Sequence, residues 1–195
     1  MMLELYEYMK SKVIEAGYEQ EIEWCKSIPL VDNCTKDDFF REYVWVVINS
    51  GMKEQVGRNI FNRFWNDGSF NFDKIGHPNK NRSIRQVFER LDKYFFQFKQ
   101  SKDKLRFLES LPHIGPTTKY HLARNLGLDV AKPDRHLVRI AAVLNFKDVQ
   151  DLCSKISETT KDKIGVVDIV IWRFANLFEN YLDIIQKFIE RDVIC

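Results

Sequence analysis

The stretch from Leu111 to Arg139, LPHIGPTTKYHLARNLGLDVAKPDRHLVR, limits what this chain can be more than any other part of it. Leu111-Pro112-His113-Ile114-Gly115 reads as a five-residue connection between two helical segments, and Asp134 stands at the start of the next helix. Where a short turn joins two helices, the N–H groups of the turn and of the following first turn lack intrahelical partners. Together with the helix dipole they suit a phosphate oxygen. His113, Ile114, Gly115, Thr117 and Thr118 are therefore candidate backbone-contacting residues. A phosphate anchor followed at a fixed distance by one acid is the arrangement needed to hold a nucleic-acid backbone and do chemistry on a nearby sugar.

Charge is distributed to match. The whole chain carries a net charge of only +2. From Lys74 to Arg139, however, there are 15 Lys and Arg against 6 Asp and Glu, leaving 15 against 22 for the remainder. A basic centre in an acidic frame is expected when one face meets a polyanion, although a solvated charged face would read the same way.

With 195 residues, 45% hydrophobic and 13% aromatic, the chain can bury a substantial core as one large or two small domains. It holds no run of eighteen apolar residues, and Met1-Met2-Leu3-Glu4-Leu5-Tyr6-Glu7 has acids where a signal peptide has basic residues. The expectation is a soluble protein that is not secreted and has no membrane partner, cytoplasmic and nucleoid-associated or nuclear. Cys25, Cys34, Cys153 and Cys195 show no CxxC spacing, which predicts no zinc site, no cysteine-ligated cluster and no metal; reduced thiols are the simple reading.

The periodicity is helical nearly throughout, so the expected class is all-α. Leu3, Tyr6, Met9 and Val13 share one face of a first helix, and Ile22, Trp24 and Cys25 belong to a short second one ending before Pro29. Thr35 caps a third, with Asp38 at the capping-box position. There Phe39, Phe40, Tyr43, Val44, Trp45, Val46, Val47 and Ile48 are apolar nearly all round, the mark of a central core helix. It ends at Asn49-Ser50-Gly51-Met52, and Val56, Ile60, Phe61 and Phe64 mark the next. After Gly68 and the Gly76-His77-Pro78 break comes one long amphipathic helix through Ile84, Val87, Phe88, Leu91, Phe95 and Phe98, with Arg82, Arg85, Arg90 and Lys93 on its other face. Asp103 starts the helix into the hairpin, the pattern breaks at Asn145, and an apolar stretch from Lys161 to Arg191 closes the chain. No β-alternation is visible.

Residues 105 to 144 resemble the helix-hairpin-helix (HhH-GPD) DNA glycosylase superfamily, which includes endonuclease III, the adenine glycosylase, 8-oxoguanine glycosylase and alkyladenine glycosylases. Its pattern is a Leu-Pro-Gly-hydrophobic-Gly hairpin followed, in the endonuclease III branch, by Asp-x-His-x-x-Arg. Here these are Leu111–Gly115 and Asp134-Arg135-His136-Leu137-Val138-Arg139. A weaker likeness covers 36 to 66. His113 replaces the first hairpin glycine, so its backbone must tolerate a side chain, with positive φ the readiest solution. Thr117 stands where bifunctional members carry the lysine that forms a Schiff base with the sugar.

The resemblance implies two helical lobes, 31–118 and 1–30 plus 119–195, with a DNA-binding cleft between them and the hairpin at its mouth. It implies a monomer acting on double-stranded DNA that contains a lesion or mismatch, with Met52 as the wedge filling the gap left by a flipped base; a Met after a helix-ending Gly also fits ordinary packing. Asp134 is then the catalytic carboxylate, stabilising positive charge on the deoxyribose and directing water. On spacing alone it is equally an N-cap. His136 and Arg139 are expected to order the helix and nearby backbone. Tyr43, Trp45, Tyr120 and Trp172 are candidate walls of a base pocket, though helical spacing explains each as core. Two alternatives stay open: a non-catalytic DNA-binding module, and a lyase in which Lys119 or Lys132 replaces the missing lysine.

Overall fold

A computed structural model describes residues 2–66 and 69–194; Gly68 and Cys195 lie outside the described residues. In chain order the helices are α1 Met2–Glu15, α2 Glu19–Ser27, α3 Lys36–Asn49, α4 Glu54–Phe64, α5 Pro78–Glu89 and α6 Leu91–Gln100. They continue as α7 Lys104–Glu109, α8 Thr118–Asn125, α9 Arg135–Val143, α10 Val149–Thr160, α11 Ile164–Leu177 and α12 Tyr181–Ile194. The fold is all-α, apart from one antiparallel pair of two-residue strands, β1 Trp65–Asn66 and β2 Ser69–Phe70, with Trp65 opposite Phe70. Two residues are too few for an alternating pattern, and the pair is held by aromatic contact, with the Trp65 and Phe70 rings 4.9 Å apart.

The chain divides into two compact units, Pro29–Leu128 and Met1–Ile28 together with Asp129–Cys195. The central unit ends at Leu128, ten residues beyond the expected 118/119 boundary. Helix α8 packs on α7 and α3 and so belongs to the central unit, because its buried Leu122 and Ala123 need the apolar face that those helices offer.

In the central unit α3 is the axis. Its start is fixed by the capping box: Thr35 Oγ1 accepts the Asp38 N–H at 3.1 Å and Asp38 Oδ2 accepts the Thr35 N–H at 3.1 Å. Phe39 packs on Phe98, centroids 5.2 Å apart, and Phe40 packs on Phe70 and Phe88 at 5.4 Å each. The long helix expected through residues 84–98 is two helices. The chain turns at Arg90 (φ −124°, ψ 27°) with neither Gly nor Pro there; α5 and α6 can then place Phe88 and Phe98 on different parts of α3, a tertiary demand that overrides local propensity.

In the second unit α11 is the axis, with Val166, Val167, Val170, Ile171 and Phe174 buried against Tyr6, Met9, Leu137 and Leu152. The C-terminal apolar stretch is likewise two helices, parted between Phe178 and Tyr181. Among the described residues no helix is long and apolar enough to cross a membrane.

Candidate nucleic-acid interface and carboxylate site

In the central unit the hairpin runs from Ser110 to Thr117, longer than the five residues expected. Leu111 and Ile114 turn inward and are buried, so Ile114 anchors the loop rather than presenting its side chain. Tyr43 holds the loop from beneath, donating its hydroxyl to the Pro112 carbonyl at 2.8 Å and lying 3.2 Å from that of Ser83. Its exposure is 0%. Of the two readings open for it, core or pocket wall, the packing fits core: Tyr43 is a fully packed support of the hairpin.

His113 does adopt positive φ, at 66°. Its side chain is at the surface with its ring 6.3 Å from that of His77, and partial burial, with the charges of Lys80 and His77, lowers its pKa. Gly115 corrects the expectation in another way. Its N–H is engaged inside the loop, donating to Thr118 Oγ1 at 2.7 Å, and Thr118 Oγ1 lies 3.3 Å from the Gly115 carbonyl. The N–H groups of His113, Thr117 and Thr118 have no hydrogen-bond partner among the described residues. These three, the latter two at the N-terminus of α8, are the donors left for an anion.

Thr117 is exposed and makes no side-chain cap. Lys119 Nζ is committed elsewhere, 2.5 Å from Glu109 Oε2 and 5.4 Å from the Tyr120 ring centroid. The Glu109 hydrogen bond raises the lysine's pKa, keeping it a cation.

Met52 sits half-buried just after Gly51, whose φ of 69° makes the tight exit from α3 possible. The turn's main support is a residue that sequence reasoning missed. Lys80, 5% exposed, donates to the carbonyls of Ile48 at 2.8 Å and Ser50 at 2.6 Å. A cation on the last carbonyls of a helix is favoured by the dipole, and burial lowers its pKa. A lysine near a helix start is ordinarily taken for a solvated one, so only its spacing from the Gly-His-Pro break could have hinted at this.

The other candidate aromatics already have neighbours. Trp45 has the Arg58 guanidinium 5.0 Å from its ring centroid and Phe61 edge-on at 5.6 Å. In the second unit Trp172 has the Arg173 guanidinium at 4.7 Å.

Asp134 is in the second unit, half-buried, at the N-cap of α9. Its Oδ1 accepts the N–H groups of His136 at 2.8 Å and Leu137 at 3.1 Å. All of the capping falls on that one oxygen; Oδ2 has no hydrogen-bond or ion-pair partner among the described residues. His136 Nδ1 lies 3.2 Å from the Tyr181 hydroxyl, joining α9 to α12, and burial lowers its pKa. Arg139 makes no such link. It is exposed on α9 with no hydrogen bond or ion pair among the described residues, because its position faces away from the packed side carrying Leu137 and Ile140.

No group of three or more His, Cys, Asp or Glu side chains is placed to hold a metal ion among the described residues. Cys25, Cys34 and Cys153 are buried, and burial pushes the Cys34 thiol up to about 11.

No family model matches the sequence, and neither does any curated protein. Two solved structures share the fold. Methanocaldococcus jannaschii 8-oxoguanine glycosylase/lyase, crystallised with 15mer DNA containing 8-oxoguanine, has 21% identity and a TM-score of 0.65, the match covering 91% of this chain and 99% of that one. The 8-oxoguanine DNA glycosylase of Thermotoga maritima has 20% identity and a TM-score of 0.62, covering 88% and 96%. At one-fifth identity the likeness is one of fold.

Proposed function

We propose that this chain, folded like two 8-oxoguanine DNA glycosylases, is itself a helix-hairpin-helix DNA glycosylase of base excision repair, hydrolysing the N-glycosidic bond of a damaged or mismatched base without cleaving the strand. The observation that carries this reading is Asp134: one oxygen fixes it to α9 and the other is uncommitted. A carboxylate needed only as a cap would serve equally as Ser or Thr; one that must face a cationic sugar cannot be replaced so.

The reaction asks little of the protein beyond this. The bond from C1′ to the base nitrogen breaks, its electron pair leaves with the base, and the deoxyribosyl ring acquires oxocarbenium character. Asp134 stabilises that charge, water adds to C1′, and the water's proton passes to the carboxylate and on to the departing base. The His113, Thr117 and Thr118 N–H groups supply the phosphate anchor, giving the protein its hold on the backbone without reading sequence.

The absence of strand cleavage rests on two features. Thr117 holds no amine, and Lys119 is paired with Glu109 with its pKa raised, which disfavours the neutral amine an imine requires. Borohydride added during turnover should accordingly trap no protein–DNA adduct, and nicking should appear only after alkali or heat. An adduct that disappears in Lys119→Ala or Lys132→Ala would make the protein a lyase.

A panel of duplexes each bearing one lesion, 8-oxoguanine and mismatched adenine among them, tests the main proposal by release of the free base. Salt-sensitive duplex binding with no base release from any would identify a DNA-binding module in which Asp134 is only a cap. Affinity should fall steeply with salt, and Arg82→Gln, at an exposed position on α5, should lower the log–log slope by about one. A flat salt dependence would remove nucleic acid as the partner.

A further inference from the structure

Helix α11 is apolar on every side that packs, yet it carries an acid in its most buried segment. Asp168 is 2% exposed, flanked by Val166, Val167, Val170 and Ile171 at 0 to 1%. Placing a carboxylate in such surroundings is unfavourable without specific partners, so its position needs a reason. One of those partners is backbone: Asp168 Oδ2 accepts the Lys132 N–H at 2.9 Å.

Lys132 belongs to the non-helical segment 129–134, which delivers Asp134 to the start of α9. That segment has no ladder or helix to fix it. Instead three side chains do so: Asp129 Oδ1 accepts the Gly165 N–H at 3.1 Å, Gln150 Oε1 accepts the Ala131 N–H at 3.0 Å, and Asp168 takes Lys132. Asp129 is exposed and Gln150 only partly buried; Asp168 lies in the core. Two residues after its grip the chain closes on itself, the Asp134 N–H donating to the Lys132 carbonyl at 2.8 Å. The peptide plane that sets the direction of Asp134 thus has its neighbouring N–H fixed to the core and its carbonyl to Asp134 itself.

From this arrangement we infer that Asp168 is a positioning residue for Asp134: through the Lys132 backbone, it fixes where the uncommitted oxygen of Asp134 points. The inference rests on the reading of Asp134 as the catalytic carboxylate. Displacement of a reacting group by about an ångström lowers rates on the order of 100-fold without weakening binding, which sets the expected signature. Asp168→Ala removes the acceptor. Asp168→Asn keeps one, since a carboxamide oxygen also accepts from N–H.

Three readouts separate the possibilities: amide hydrogen exchange at Lys132, the dissociation constant for undamaged duplex, and the single-turnover rate of base release at saturating enzyme. Asp168→Ala should lose protection at Lys132, bind duplex within twofold of wild type and release base roughly 10- to 100-fold more slowly. Asp168→Asn should recover most of the rate and the protection. Protection persisting at Lys132 in Asp168→Ala overturns the inference, as does an unchanged rate, or a fall in rate matched by an equal fall in affinity. If Asp168→Ala does not fold, Asp168→Asn decides: a wild-type exchange pattern with near wild-type rate supports the role, and wild-type exchange with a lost rate removes it. A wild-type protein that releases no base from any duplex fails the functional proposal, and the positioning role falls with it even if Lys132 exchange responds.

Discussion

Asp134→Asn should abolish base release while leaving the protein folded and bound to DNA. The substitution is informative because of how the two carboxylate oxygens divide their work. Oδ1 accepts two N–H groups at the start of α9, and an asparagine carbonyl can accept the same pair; Asn and Asp are comparable N-caps. Stability should therefore hold within a few tenths of a kcal/mol. On the proposed reading, what is lost is the negative charge that Oδ2 offers to a sugar turning cationic as its bond to the base breaks. Removing one preorganised electrostatic partner of a transition state lowers rates on the order of 10²–10³-fold, so single-turnover release should fall at least that far. Duplex affinity should stay within a few fold or rise, since a negative charge is removed near phosphates. Asp134→Ala adds a second, separable effect, the lost cap, at about 1 kcal/mol. If Asp134→Asn releases base at near wild-type rate, Asp134 is a cap and the chemistry belongs elsewhere.

Gly127→Ala should be the most damaging small substitution in the central unit. Gly127 ends α8 in a Schellman arrangement: its N–H donates to the Arg124 carbonyl at 3.0 Å and that of Leu128 to Ala123 at 3.0 Å. Its φ is 87°, and a Cβ there would lie 2.0 Å from the Pro29 carbonyl oxygen and 2.8 Å from the Val31 nitrogen. The obstacle is backbone, which cannot rotate aside, and the Val31 N–H is itself hydrogen-bonded to the Gly127 carbonyl at 3.2 Å. Left-handed strain at about 1 kcal/mol and a clash of roughly 2 kcal/mol together predict a loss of about 3 kcal/mol, or about 10 °C in Tm. Gly17 is the control. It has the same φ of 87° but nothing within 4 Å of its Cβ position, so Gly17→Ala should lose only the conformational part. Equal melting temperatures for the two variants would sink the steric argument.

These two sites mark the limit of what the sequence carries. The cap acid Asp134 is a local signal, readable from a few neighbours. So were the Thr35 capping box and the positive φ of His113. What lay between distant segments was not readable. Nothing in the sequence brings Pro29 against Gly127, couples Asp168 to Lys132 across 36 residues, or sends Lys80 to the end of α3. The break at Arg90 failed for a related reason: both helices keep good local propensity through it, and only their packing on α3 separates them. The engaged N–H of Gly115 shows a subtler limit, since the hydroxyl that takes it, Thr118, reads as just another donor for DNA.

Lys80 has one more consequence, for what association with any partner at the turn after α3 must supply. A surface loop that becomes ordered only on meeting its partner lowers affinity by the chain entropy it then loses, about 1–2 kcal/mol per residue. In the turn carrying Met52, the carbonyls of Ile48 and Ser50 are already gathered on one buried ammonium group, and the Met52 N–H already donates to Asn49 at 3.3 Å. The loss of freedom in Ser50, Gly51 and Met52 has therefore been met in folding. Whatever Met52 touches, it touches from a preset platform, and contact there can go into deforming the partner instead of shaping the loop.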